Sequence, residues 1–285
     1  MTFQGRALER GETWNRIGQV MNDPHVKALH YRVVVGKDVD YNKAPPLSES
    51  TKEFDLTIEG QAAIFEMKEH YASADEAKAV IEQYLRAWDI LAGIEHGPDS
   101  FRLKFDHTDL IDRNPDRDDK GVHYLDVHVA IHAVASASFT VHVSKTKYPP
   151  FPNKFSASNG AEKMYFRYKA YQQKQETLAS MAYFCLTILE SKEENPKKRK
   201  KVATRYNIKY ELLDKLGKLV TIKGDPAEAR KAPKNGVYKE FSPKEKEWII
   251  TVIKALIRRA GEYAYDPNAK LKLLSMQDFP DLTGP

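Results

Sequence analysis

The stretch Phe54–Lys68, FDLTIEGQAAIFEMK, holds the residues best placed to do chemistry. Apolar and polar side chains alternate on both sides of Gly60-Gln61, the pattern of a β-hairpin closed by a two-residue loop. With that loop, Glu59 faces Ala62, Thr57 faces Ile64 and Asp55 faces Glu66. Directly opposed residues sit about 5 Å apart on one face, and Lys68, two residues beyond Glu66, shares that face. Two carboxylates and a lysine brought together are what a metal-dependent phosphodiester-cleaving site requires. The same residues also describe the solvated face of an ordinary hairpin, and at this point both readings stand.

The neighbouring segments must hold the hairpin in place. Glu12–Val20 reads as a short helix and Val26–Val35 as a strand. Ser73-Ala74-Asp75-Glu76 is a capping box, in which serine and glutamate each satisfy a free backbone N–H. The helix it opens carries Val80, Tyr84, Trp88 and Leu91 at three-to-four spacing and should stop near Gly93 or Gly97. Phe101, Leu103 and Phe105 alternate as a strand, and Val122–Ser144 reads as two further strands or one long bent one. This order of helix, three strands, helix and strand, with Asp55 and Glu66-Met67-Lys68 on adjacent strands, resembles the PD-(D/E)xK nuclease family over residues 12–107. The resemblance implies that Asp55 and Glu66 hold Mg²⁺. It also implies that Lys68 orients the attacking water or stabilises developing charge. Phe54 stands where the family often has proline, and Glu12 is the only obvious acid on the first helix.

Tyr148-Pro149-Pro150-Phe151-Pro152-Asn153 disfavours both helix and central strand and marks a boundary. The expected fold class is α+β, with a mostly antiparallel N-terminal sheet and helices over 1–148, then a C-terminal all-α bundle over 154–285. Glu162–Leu189 reads as one long helix, and Val202–Leu219 as a helix interrupted near Asn207. Asp225-Pro226 would cap a short helix. Ser242-Pro243-Lys244-Glu245 combines a capping box with proline at the first helical position, ahead of an apolar stripe from Trp248 to Ile257.

Charge is divided unevenly between the halves. Residues 1–150 carry 18 Lys and Arg against 24 Asp and Glu, and residues 151–285 carry 27 against 16, so a chain of net +5 splits into −6 and +11. A polyanion would meet the second half first. Lys197, Lys198, Arg199, Lys200, Lys201 and Arg205 are the candidate phosphate contacts. Residues 201–219 resemble a helix-turn-helix. Val202, Ala203 and Tyr206 would anchor the first helix, Asn207 would take the left-handed turn, and Ile208, Leu213 and Leu216 would anchor the second. Glu211 and Asp214 on the second helix are unfavourable near DNA. A structural helix corner in a bundle is the alternative.

His128, His132 and His142, with Asp126, would share a face if the chain turns at 134–136, a conceivable but unsupported Zn²⁺ arrangement. Asp112, Asn114 and Asp116 open like a calcium loop, but Arg117 replaces the needed glycine and His123 the closing glutamate. There is no Gly-rich phosphate loop and no Gly-x-Ser-x-Gly. The start lacks the apolar core of a signal peptide, and the longest apolar run, Leu178–Leu189, is too short to span a bilayer. The lone Cys185 excludes an internal disulfide. The expectation is a cytoplasmic accessory protein that binds nucleic acid or a protein partner through its basic half and makes no use of a membrane. The alternative is a Mg²⁺-dependent nuclease acting on DNA or RNA.

Overall fold

The structure, a computed structural model, describes residues 21–36, 39–114, 124–127, 143–191, 193, 197–223 and 239–282. The segments expected as helix at Glu12–Val20 and at Asp225-Pro226 lie outside the described residues, as do His128, His132 and His142. The fold is mixed α+β. The strands are β1 (Pro24–Val34), β2 (Val39–Asp40), β3 (Leu47–Ser50), β4 (Phe54–Glu59), β5 (Ala62–Met67), β6 (Arg102–Asp112), β7 (Tyr124–Val127) and β8 (Val143–Ser144). The helices are α1 (Ala74–His96), α2 (Asn159–Gln172), α3 (Leu178–Glu190), α4 (Lys198–Arg205), α5 (Tyr210–Ile222) and α6 (Pro243–Tyr265), with a 3₁₀ turn at Met276–Asp278. None of these helices is long and apolar enough to cross a membrane.

Two compact units interleave along the chain. One comprises Met1–Arg32, Pro46–Val80 and Lys104–Ser136, and the other Val33–Pro45, Ile81–Leu103 and Ala137–Pro285. The sheet runs in the order β3-β4-β5-β1-β6-β7, with β3/β4, β4/β5, β5/β1 and β6/β7 antiparallel. Gly60 at φ 59° gives the hairpin loop the positive φ that a type II′ turn needs at its first central position. The pairing follows from that loop: Glu59 opposes Ala62, Thr57 opposes Ile64 and Asp55 opposes Glu66. Phe54, Leu56, Ile58, Ala63, Phe65 and Met67 fill the apolar face together with Leu29 and Tyr31 of β1. Tyr31 and Phe54 both meet Phe65 edge-on.

In the second unit the aromatic residues around the proline-rich segment are buried rather than left as a bare linker. Tyr148 stacks on Tyr41, Phe151 meets Trp88 edge-on, and the Trp88 indole N–H donates to the Pro149 carbonyl at 3.1 Å. The long helix expected over Glu162–Leu189 is two helices. Lys174 turns the chain at φ 59°, and the Thr177 hydroxyl accepts the Ser180 N–H to start α3 afresh. The break lets α3 fold back on α2, with the buried Cys185 thiol against the Met164 carbonyl at 3.8 Å. Residues of α2, α3, α4, α5 and α6 share one apolar core.

The start of α6 is as the sequence specifies. Ser242 accepts the Glu245 N–H, and Glu245 accepts the Ser242 N–H and both contacts from the Lys223 ammonium at 2.7 Å. Burial alone would raise the Glu245 carboxyl, but Lys223 and the Ser242 N–H outweigh it and hold it below its ordinary range. A carboxyl depressed by folding stabilises the fold above its unfolded pKa, and that stabilisation is lost as pH falls through the folded value. Glu245→Gln is therefore expected to cost about 1 kcal/mol at neutral pH. The gap to wild type should close on acidification, as measured by urea unfolding across pH.

Candidate functional site

Each unit carries one cluster anticipated from the sequence, and the sheet carries a second that was not. On β4 and β5 the polar positions Asp55, Thr57, Glu59 and Glu66 are exposed, while their neighbours are buried. The structure therefore puts Asp55 and Glu66 directly opposite one another on the exposed face, with Lys68 beside them. The Lys68 ammonium bonds Asp55 Oδ1, Ser50 Oγ and the Thr51 carbonyl, each at 2.7 Å. Lys68 and then Ser50 hold the Asp55 carboxyl below the usual carboxylate range. Lys68 thus tethers the hairpin to β3 as well as standing near the two acids.

In antiparallel pairing, residues opposite one another point to the same side of the sheet. On β1, Ala28 opposes Glu66, His30 opposes Ile64 and Arg32 opposes Ala62, so His30 and Arg32 extend the Asp55–Glu66 face. There His30 meets β6. Its Nε2 lies 3.0 Å from Asp109 Oδ2, and its ring stacks on His107 with centroids 4.1 Å apart and planes 8° from parallel. His107 Nε2 is 4.0 Å from Asp109 Oδ1, and His107 Nδ1 is 2.9 Å from Asp106 Oδ2. Asp106 also pairs with Arg32; that contact and the one from His107 hold its carboxyl below its ordinary range. Among the described residues, only His30, His107 and Asp109 form a group of three possible metal ligands whose ligand atoms all lie within 4.8 Å of one another. The sequence pointed to the histidines after residue 123 instead, because they crowd together along the chain. The only local sign of this cluster is His107-Thr108-Asp109, two ligand types two apart on a strand.

In the second unit α4 and α5 meet at a four-residue turn, Tyr206–Lys209, in which Asn207 has φ 48°. Val202, Ala203, Tyr206, Ile208, Leu213 and Leu216 are all buried. The turn is held by a residue that sequence reasoning did not single out. The buried Arg259 of α6 donates to the carbonyls of Tyr206 at 2.6 Å, Asn207 at 3.1 Å and Lys272 at 2.6 Å. The Asn207 side chain donates to the Leu271 carbonyl at 2.7 Å, so the C-terminal segment lies along the turn.

The six basic candidates take different roles. Arg199 pairs with Glu190 of α3 at 2.8 Å and Asp214 of α5 at 3.5 Å. It also lies so close to Gly217 that a Cβ there would meet the guanidinium at 2.7 Å. Arg205 pairs with the buried Glu193 at 2.6 Å. Lys197, Lys200 and Lys201 are exposed and Lys198 half-exposed, with Lys200 over the Tyr210 ring. Asp214, unfavourable in the sequence, is closed by Lys218 at 2.8 Å as well as by Arg199, and both keep it ionised. Beyond the turn, Arg259 borders a cavity of about 800 Å³ that Lys154, Lys254, Lys270 and Lys272 also line.

No protein-family model, curated protein or solved structure matches this chain.

Proposed function

We propose that the chain binds nucleic acid through the outer face of α4 and its turn into α5, as a non-enzymatic accessory protein. One observation carries the reading: three of the acids around this corner are closed from within, and Glu211 alone of those on α4 and α5 stays exposed. Glu190, Glu193 and Asp214 each accept an arginine or lysine of the same unit. Lys197, Lys200, Lys209 and Lys215 are exposed without a carboxylate in ion-pair distance among the described residues. Exposed lysines around a rigid helix corner neutralise phosphates and release counterions, whatever the base sequence. The residue types of 201–219 suit a helix-turn-helix, with α5 as the second helix. In this reading residues 154–285 act as a helical binding domain that follows the α+β half, in a reducing cytoplasm that keeps Cys185 a thiol. An acidic protein partner would use the same lysines.

Arg199 and Arg205 hold helices together, so the test leaves them intact. Lys197, Lys200 and Lys201, replaced together by glutamine, are expected to weaken retention on duplex DNA and on RNA. The slope of log affinity against log salt should also become shallower by about 0.9 for each duplex phosphate that is no longer neutralised. Unchanged affinity at low and moderate salt would remove the reading, and weakening confined to an acidic polypeptide would transfer it to a protein partner.

The hairpin register favours a second reading, a Mg²⁺-dependent nuclease in which Asp55 and Glu66 hold the metal and Lys68 assists. Opposed carboxylates repel across the pair, and a divalent ion would relieve this. The reading expects Mg²⁺ or Mn²⁺ to raise the melting temperature and Asp55→Ala to abolish the rise. It also expects Glu66→Ala and Lys68→Ala to lose cleavage of plasmid or single-stranded nucleic acid while staying folded. Absence of any metal effect or cleavage in the wild-type chain would dispose of it.

A further inference from the structure

We infer that His30, His107 and Asp109 form a binding site for a Zn²⁺-type ion, with a fourth position open to water. The sheet builds the site in two steps. His107 and Asp109 are two residues apart on β6, which sends both side chains to one face. His30 reaches them from β1, the neighbouring strand. The three ligand atoms all lie within 4.8 Å of one another. Bonds of about 2.0–2.2 Å in a tetrahedral site put ligand atoms about 3.3 Å apart, between the 3.0 Å and 4.0 Å separations of the two imidazoles from Asp109. Because each imidazole lone pair lies in its ring plane, the two rings must turn out of their parallel stack to close the set around an ion.

One of the two imidazoles already has an outer partner. With its Nδ1 facing Asp106, His107 donates there and keeps Nε2 as its ligating nitrogen, whereas His30 Nε2, 3.0 Å from Asp109, donates to that carboxylate and would exchange its proton for the ion. A carboxylate behind a ligating imidazole is the usual outer partner of a metal-bound histidine. Arg32 in turn fixes Asp106. All three ligands are half-exposed, so an ion can enter from solvent. Two imidazoles and one carboxylate suit Zn²⁺ or Co²⁺, not the all-oxygen shell that Mg²⁺ prefers. The site shares no residue with the lysine face of α4 or with Asp55, Glu66 and Lys68, so it stands or falls independently of both readings above.

The test is an optical titration of the full chain with Co²⁺, followed by displacement with Zn²⁺. The expected result is saturation at micromolar metal with visible bands of tetrahedral intensity, and a Zn²⁺-dependent rise in melting temperature. His107→Ala and Asp109→Asn should each abolish the bands, and Asp106→Asn should weaken binding by about 10–100-fold without abolishing it. His70→Ala, beside Asp23 on the same sheet unit, should change nothing. Should a variant unfold, histidine ¹⁵N spectra of the wild-type chain decide instead, with Zn²⁺ shifting the Nε2 signals of His30 and His107. Absence of saturation, or bands that survive all of the ligand substitutions, would overturn the inference.

Discussion

The register of the Gly60-Gln61 hairpin is the constraint on which the rest of the sheet depends. Side chains alternate with a period of two, so slipping the pairing by one residue would turn every side chain to the other face. Phe54, Leu56, Ile58 and Phe65 are essentially inaccessible, and burying each is worth about 1.5–3 kcal/mol. The polar contacts opposite, such as Lys68 with Asp55, are open to solvent and screened by it, and contribute far less. The apolar face therefore sets the register, and the polar face follows it. Asp55, Glu66, His30 and Arg32 share a surface because Phe54, Leu56, Phe65 and Leu29 must share the one behind it.

The second unit balances its terms differently. Its core is apolar, but the corner between α4 and α5 is fixed by guanidinium groups. Arg259 donates to the Tyr206 and Lys272 carbonyls and shares the Asn207 carbonyl with the Leu274 N–H, tying the turn to the C-terminal segment. Arg199 crosses α5 at Gly217, where any larger residue would displace it, and bridges acids on α3 and α5. A buried charge such as Arg259 is costly unless fully paired, and the half-buried Arg199 is held by two acids, so these arginines are committed to structure. What remains for a ligand is a subset of the lysines, such as Lys197, Lys200 and Lys209, whose flexible stems keep their charges in water.

Legibility followed sequence separation. The hairpin partners, the Ser242-Pro243-Lys244-Glu245 helix start and the left-handed Asn207 are local signals, each spelled within a few residues. The break at Lys174 is not spelled locally, because Tyr171–Glu176 contains neither glycine nor proline to mark a stop. The His30–Asp109 contact joins residues 79 apart, and nothing in either segment states that β1 and β6 are neighbours. Histidine density drew attention to 123–142, whereas the ligand geometry lies where two strands meet. In the sequence Arg259 is one of several cations between Pro243 and Tyr265. Its role depends on which carbonyls the turn leaves open, and that is a property of the folded chain alone.

The central claim is that an α4-centred lysine face meets nucleic acid. Its most direct measurement is residue-level lysine reactivity of the intact chain, labelled with and without duplex DNA or RNA and read by mass spectrometry. Protection concentrated at Lys197, Lys200, Lys201 and Lys209, and relieved by added salt, is the expected result. Unaltered reactivity at these four lysines in the presence of saturating nucleic acid, or protection confined to lysines of the sheet unit such as Lys27 and Lys52, would contradict it.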